Sequence, residues 1–183
     1  ESILILPENK LNSKADELEY YLSAYPTGVN LIIAPTGIGK TYWAREKILK
    51  GQHKSVLIIA PTKLIVEEIT QDLTASNKLV VSDSLIDLGL VNLTSGELTV
   101  VVCTYHHAIK YQQYLAQVDL LIIDEAHWIH EYDFTEKESG QNIGWEMLQV
   151  IKELHEQTQI IMLTASATLL LAFPEWFFIR QII

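Results

Sequence analysis

The sequence predicts an α/β fold in which a mostly parallel sheet carries helices on both faces. Short apolar runs of strand length recur along the chain, and segments with helical periodicity separate them. Several runs are apolar throughout rather than alternating, the pattern of strands buried on both faces. Alternation of this kind places successive strand-end loops along one edge of the sheet.

Residues 29–34 read as a strand closed by Pro35, and residues 41–50 as a helix stopping at Gly51. A second strand over 55–60 is followed by a helix over 63–74, with Leu64, Ile65, Ile69 and Leu73 expected to face inward. Residues 78–81 and 97–103 are further strands, 106–117 a helix, and 118–123 a buried strand. The segment 142–157 is amphipathic, with Met147, Leu148, Ile151 and Leu154 at helical spacing, and 140–144 forms its entry. A strand over 159–163 follows, and 176–179 is read as the last. Ahead of these, 2–6 fits an edge strand and 15–22 a short helix before Pro26. Residues 1–25 are taken as a lead-in to one domain over 26–183, and the acidic stretch 131–138 as a solvated loop.

A chain of 183 residues, nearly half of them apolar, suffices for a sizeable core, and no apolar run approaches the length needed to span a bilayer. No membrane partner is expected. The start at Glu1 shows no basic segment or cleavage signature, and the single cysteine, Cys103, lies in an apolar run where a buried inert thiol is the natural reading. A cytoplasmic location, or a nuclear one in a eukaryote, is therefore expected. The net charge of −10 argues against a basic footprint over the whole surface, though not against a local track of backbone amides.

The chemistry concentrates at the strand ends. Ala34-Pro35-Thr36-Gly37-Ile38-Gly39-Lys40-Thr41 lies between a predicted strand and a predicted helix, the context a phosphate-binding loop requires. Thr36, Gly37, Ile38 and Gly39 would present amides to phosphate oxygens, Lys40 would reach the β- and γ-phosphates, and the Thr41 hydroxyl would bind Mg²⁺. Ala34 replaces the first glycine of the strict pattern. Asp124-Glu125-Ala126-His127 ends the strand over 118–123. Asp124 would hold the Mg²⁺ and Glu125 would orient and deprotonate the attacking water, the minimum for in-line hydrolysis of a γ-phosphoryl group. Lys40, Asp124 and Glu125 are thus the candidate catalytic residues.

These blocks resemble the first RecA-like domain of superfamily 2 helicases of the DEAD/DEAH-box kind. Beside the phosphate loop and Asp124-Glu125-Ala126-His127, Ala60-Pro61-Thr62-Lys63-Leu64 resembles the block that touches the nucleic-acid backbone. Ser166-Ala167-Thr168 resembles the block after the last core strand, and Val101-Val102-Cys103-Thr104-Tyr105 is a weaker match to another strand end near nucleic acid. The resemblance implies a RecA-like P-loop NTPase that uses ATP with Mg²⁺ and acts on the backbone of DNA or RNA. It implies that His127, Ser166 and Thr168 link the hydrolysis site to the nucleic-acid side. Pro61, Thr62, Lys63 and Thr104 would contact phosphates without reading sequence.

The chain departs from the family pattern in two respects. No motif corresponds to the second RecA-like domain with its arginine finger, and Arg180 does not substitute for it. No glutamine precedes the phosphate loop, the first being Gln52, so adenine specificity rests on the wider family alone. The chain is therefore expected to be one domain of a larger protein, weakly active in isolation. A double-strand translocase that does not unwind and a nucleotide-switched binding module with vestigial hydrolysis are the competing readings. A small-molecule kinase is more distant, since nothing resembles an acceptor pocket or a lid. The six histidines lack the companions that zinc spacing needs, and Trp43, Trp128, Trp145 and Trp176 are read as packing residues rather than base stackers.

Overall fold

The computed structural model describes residues 3–4, 15–51, 53–74, 79–82, 99–110, 118–130, 142–166 and 179–182. In chain order these form β1 (Ile3–Leu4), α1 (Ala15–Ser23), β2 (Gly28–Ile33), α2 (Lys40–Lys50), β3 (Ser55–Ala60), α3 (Lys63–Thr74) and β4 (Leu79–Ser82). There follow β5 (Thr99–Thr104), α4 (Tyr105–Lys110), β6 (Leu120–Ile123), α5 (Ile143–Leu154), β7 (Gln159–Thr164) and β8 (Ile179–Ile182). The strands make one sheet in the order β1-β8-β2-β7-β6-β3-β5-β4, and every described pairing is parallel.

Every residue of β3 and β7 is buried, as strands sandwiched between two helical layers must be. Successive side chains divide between the faces. Val29, Leu31, Leu57, Ile59, Leu121, Ile123, Ile160 and Met162 meet α4 and α5 on one side. Ile32, Val56, Ile58, Leu120, Ile122, Ile161 and Leu163 meet α1, α2 and α3 on the other. Cys103 is 1% exposed within the first layer.

Polar contacts fix the helices to this frame. Lys47 of α2 bonds Glu19 of α1 at 3.0 Å. Gln159 Nε2 donates to the carbonyls of Leu22 and Tyr25, tying the end of α1 to the start of β7. The Asn142 side chain accepts from Trp145 N and starts α5. Gly51 ends α2 with extended backbone rather than a left-handed turn. Glycine is needed there because a Cβ would stand 2.7 Å from the Lys47 carbonyl oxygen.

Several expectations shift. Leu64 is 73% exposed, whereas Val66, Ile69 and Leu73 form the buried stripe of α3. Leu64 precedes Val66 by two residues, about 200° around the helix, so both cannot face the sheet. The helix expected over 106–117 starts one residue earlier and is described to Lys110. The last strand lies at Ile179–Ile182 rather than over 176–179, held in register by Val29–Ile32 of β2. The acidic stretch 131–138 lies outside the described residues. No described helix is long and apolar enough to cross a membrane.

Candidate functional site

Because all strands are parallel, their carboxyl ends open on one edge, where α/β folds bind ligands. Along that edge the strand order brings five loops side by side: those after β2, β7, β6, β3 and β5. They carry, in that order, Lys40, Ser166, Asp124, Thr62 and Tyr105.

The loop after β2 turns through Gly37 and Gly39, whose φ angles are 79° and 99°. Both lie in the left-handed region that side-chain-bearing residues rarely adopt. The demand at Gly37 is conformational rather than steric, since a Cβ there would meet nothing within 4 Å. Gly39 stands at the N-cap of α2 without a side-chain cap, so the first amides of the helix point into the loop. Lys40 is 6% exposed, and its Nζ donates to the carbonyl oxygens of Ala34 at 2.9 Å and Pro35 at 3.3 Å. Thr36 and Thr41 are exposed, and Ile38 and Gly39 half-buried.

Asp124 follows β6 and is 5% exposed. Its N–H donates to Ile59 O at 2.8 Å, its carbonyl oxygen accepts the Tyr105 phenol at 3.1 Å, and its Oδ1 accepts Glu125 N–H at 3.0 Å. Burial, and then the charge of Glu125, push the Asp124 carboxyl up to about 6, against the smaller opposing pulls of the Glu125 N–H, Lys40 and His127. Glu125 is the one described non-glycine residue at positive φ, 47°, an uncommon conformation for a glutamate. His127 Nδ1 lies 3.3 Å from Glu125 Oε2, close enough for an ion pair but without hydrogen-bond geometry.

Thr41 and Asp124 share the wall of a cavity of about 230 Å³, floored by Ala44, Ile58, Leu73 and Leu163. A buried carboxylate whose surroundings fail to compensate its charge, in a cavity that Thr41 also lines, is a donor set that suits a hard divalent cation. Among the described residues no group of three or more His, Cys, Asp or Glu could hold a metal, so tight binding there would need nucleotide oxygens as further ligands.

Ser166 follows β7 and its N–H donates to Thr164 Oγ1 at 3.1 Å, while Ala126 N donates to Leu163 O at 2.8 Å and stitches the acidic loop to that strand. Thr168 lies outside the described residues. Pro61 is buried and Lys63 exposed. Thr62 is exposed and caps α3, its Oγ1 accepting Ile65 N–H at 3.3 Å. Thr104 is 6% exposed, with its hydroxyl 3.1 Å from His107 Nδ1. The outer surface of that turn is carried by His106 and His107.

One residue of the site escaped the sequence reading. Tyr105 was visible only as the tail of a weak motif, and its link to Asp124 depends on strand order. Trp43, read as a packing residue, is 2% exposed and fills the layer under α2. Trp145, by contrast, is half exposed.

A phosphate loop after β2, with an acidic pair two strands away at the same edge of a parallel sheet, defines a P-loop nucleotide-binding domain of RecA-like fold. The chain belongs to the DEAD/DEAH box helicase family, whose family model matches residues 19–171. Domains of this family bind ATP, typically with Mg²⁺. A hypothetical ATP-dependent RNA helicase from Sulfolobus tokodaii has a similar fold, at TM-score 0.63 and 17% identity over 96% of this chain and 53% of that one. The SWI2/SNF2 ATPase core of Sulfolobus solfataricus, solved in complex with dsDNA, aligns at TM-score 0.60 and 18% identity over 89% and 33%. The UvsW helicase from bacteriophage T4 aligns at 0.52 and 16% over 86% and 54%. The chain thus spans about half or less of these proteins. A comparison with curated protein sequences finds no match.

Proposed function

We propose that the chain is the ATP-binding module of a nucleic-acid-dependent ATPase, a helicase or translocase in which hydrolysis of Mg²⁺–ATP drives movement on DNA or RNA. The observation that carries this reading is the order of loops along the sheet edge. The acidic loop after β6 lies between the phosphate-loop side, β2 and β7, and the Pro61–Thr104 side, β3 and β5.

In this reading the amides from Thr36 to Gly39 cradle the phosphates, and Lys40 leaves the Ala34 and Pro35 carbonyls for the β- and γ-oxygens. Thr41 and Asp124 would hold the Mg²⁺. When bound, the ion neutralises charge on the phosphoryl oxygens. Glu125, held at positive φ, orients the attacking water and takes its proton. His127, 3.3 Å from Glu125, links the hydrolysis site to the nucleic-acid side together with Ser166, and the family resemblance gives Thr168 the same role. Pro61, Thr62, Lys63 and Thr104 position the phosphate backbone by amides and short polar groups, which reconciles nucleic-acid binding with a net charge of −10. A second RecA-like domain in the intact protein supplies the arginine finger, so the isolated domain turns over slowly.

The test is ATP turnover by the intact protein with and without single-stranded DNA, duplex DNA and RNA. Stimulation by at least one of them is expected. Steady hydrolysis indifferent to all three would instead support a nucleotide-switched module. Strand-displacement and triplex-displacement assays then divide unwinding from translocation on duplex.

A further inference from the structure

We propose that Tyr105 is a positioning residue that carries nucleic-acid engagement at the β5 edge to the hydrolytic loop. The inference rests on the ATPase reading above and adds a route by which its two halves communicate.

Tyr105 is the first residue of α4, directly after Thr104, and is fully buried. Its hydroxyl donates to the carbonyl oxygen of Asp124 at 3.1 Å. The strands that lead to these residues, β5 and β6, are not neighbours, because β3 lies between them. The tyrosine therefore bridges over the end of β3, where Thr62 and Lys63 begin.

The carbonyl it holds has no competing backbone donor in the turn. Trp128, Ile129 and His130 donate three residues back, to the carbonyls of Glu125, Ala126 and His127, one residue short of the α-helical reach. That shift leaves the Asp124 carbonyl to the phenol. The same carbonyl belongs to the peptide joining Asp124 to Glu125, the residue at φ 47°. An uncommon backbone angle persists only when its surroundings over-determine it. The Asp124 N–H bond to Ile59 and the Tyr105 bond to its carbonyl provide that constraint from two sides.

At the other end, Thr104 Oγ1 bonds His107 Nδ1 at 3.1 Å and locks the first turn of α4 around Tyr105. Thr104, Tyr105 and His107 therefore shift together. A phosphate backbone lying across the ends of β3 and β5 presses on this turn, and the phenol transmits the displacement to the peptide that aims Glu125.

The experiment measures kcat and KM for ATP, with and without saturating oligo(dT) or oligo(U), for the intact wild-type protein, Tyr105→Phe and Lys40→Ala. Affinity for the oligonucleotide is followed by fluorescence anisotropy. Tyr105→Phe keeps the buried ring and removes only the donor. The expected result is about a fivefold fall in the ratio of stimulated to unstimulated kcat, from loss of one buried hydrogen bond, with KM and oligonucleotide affinity within about twofold of wild type. Incorporating 3-fluorotyrosine at position 105, which retains the donor, should restore the ratio. An unchanged ratio, or equal falls with and without nucleic acid, would overturn the proposal and leave Tyr105 a structural anchor. Wild-type turnover by Lys40→Ala would instead overturn the ATPase reading itself.

Discussion

Lys40 Nζ donates to the carbonyl oxygen of Ala34 at 2.9 Å, folding the lysine back onto the strand end from which its own loop departs. The residue is 6% exposed, and its ammonium makes a second, longer bond to Pro35 O. Phosphate oxygens carry charge and are better acceptors than neutral carbonyls, so the exchange favours nucleotide. Lys40→Ala should weaken ATP binding by about 10- to 100-fold, the worth of a charge-assisted bond. Isothermal calorimetry with a non-hydrolysable analogue reads this directly, and unaltered affinity would remove the phosphate-loop assignment.

The Asp124 carboxyl gives the domain a pH signature. Its folded value of about 6 exceeds the ordinary 3.8, chiefly because the group is buried. The folded state therefore holds this proton more tightly than the unfolded state does, and stability falls as pH rises from about 4 to about 6. Above that window the full cost, about 3 kcal/mol, is present. Asp124→Asn should then raise the melting temperature of the nucleotide-free domain at pH 7.5 and leave it nearly unchanged at pH 4. No gain at neutral pH would mean that the carboxylate is compensated in solution.

Glu125 should separate binding from turnover. Glu125→Gln preserves size and the turn at φ 47° but cannot take a proton. Turnover is expected to fall by about 10²- to 10⁴-fold, the usual contribution of a positioned general base. ATP affinity should hold, because the proposed function assigns the phosphates to the loop after β2. Single-turnover hydrolysis beside calorimetric affinity tests this pair, and a parallel loss of affinity would count against the assigned role.

The parallel strands were legible because burial on both faces leaves near-continuous apolar runs such as 55–60 and 159–163, which no helix period resembles. The strand-end positions of residues 35–41 and of Asp124-Glu125 were legible for another reason: each motif is contiguous and directly follows an apolar strand run. What depends on strand order was hidden. The bond from Tyr105 to Asp124 spans 19 residues and crosses an intervening strand, and no spacing rule announces it. The end of the sheet was misplaced for a related reason. Residues 176–179 are wholly apolar, whereas 179–182 include Arg180 and Gln181, so composition favoured the earlier segment while pairing with β2 sets the strand.

The two leucines of α3 test whether the observed face of that helix, rather than its apolar content, stabilises the fold. Leu73 is fully buried in the stripe it shares with Val66 and Ile69, in the same core layer as the sheet residues Val56 and Ile58, whereas Leu64 is 73% exposed beside Lys63. Truncating a buried leucine removes its transfer energy and leaves a void that neighbours fill incompletely. Leu73→Ala should therefore cost about 2–5 kcal/mol. Leu64→Ala should stay within about 0.5 kcal/mol, as at most surface positions. Urea denaturation of both variants decides the matter. Equal destabilisation would mean that α3 is rotated on the sheet, which would also move Thr62 and Lys63, at its start, away from the edge they share with Asp124.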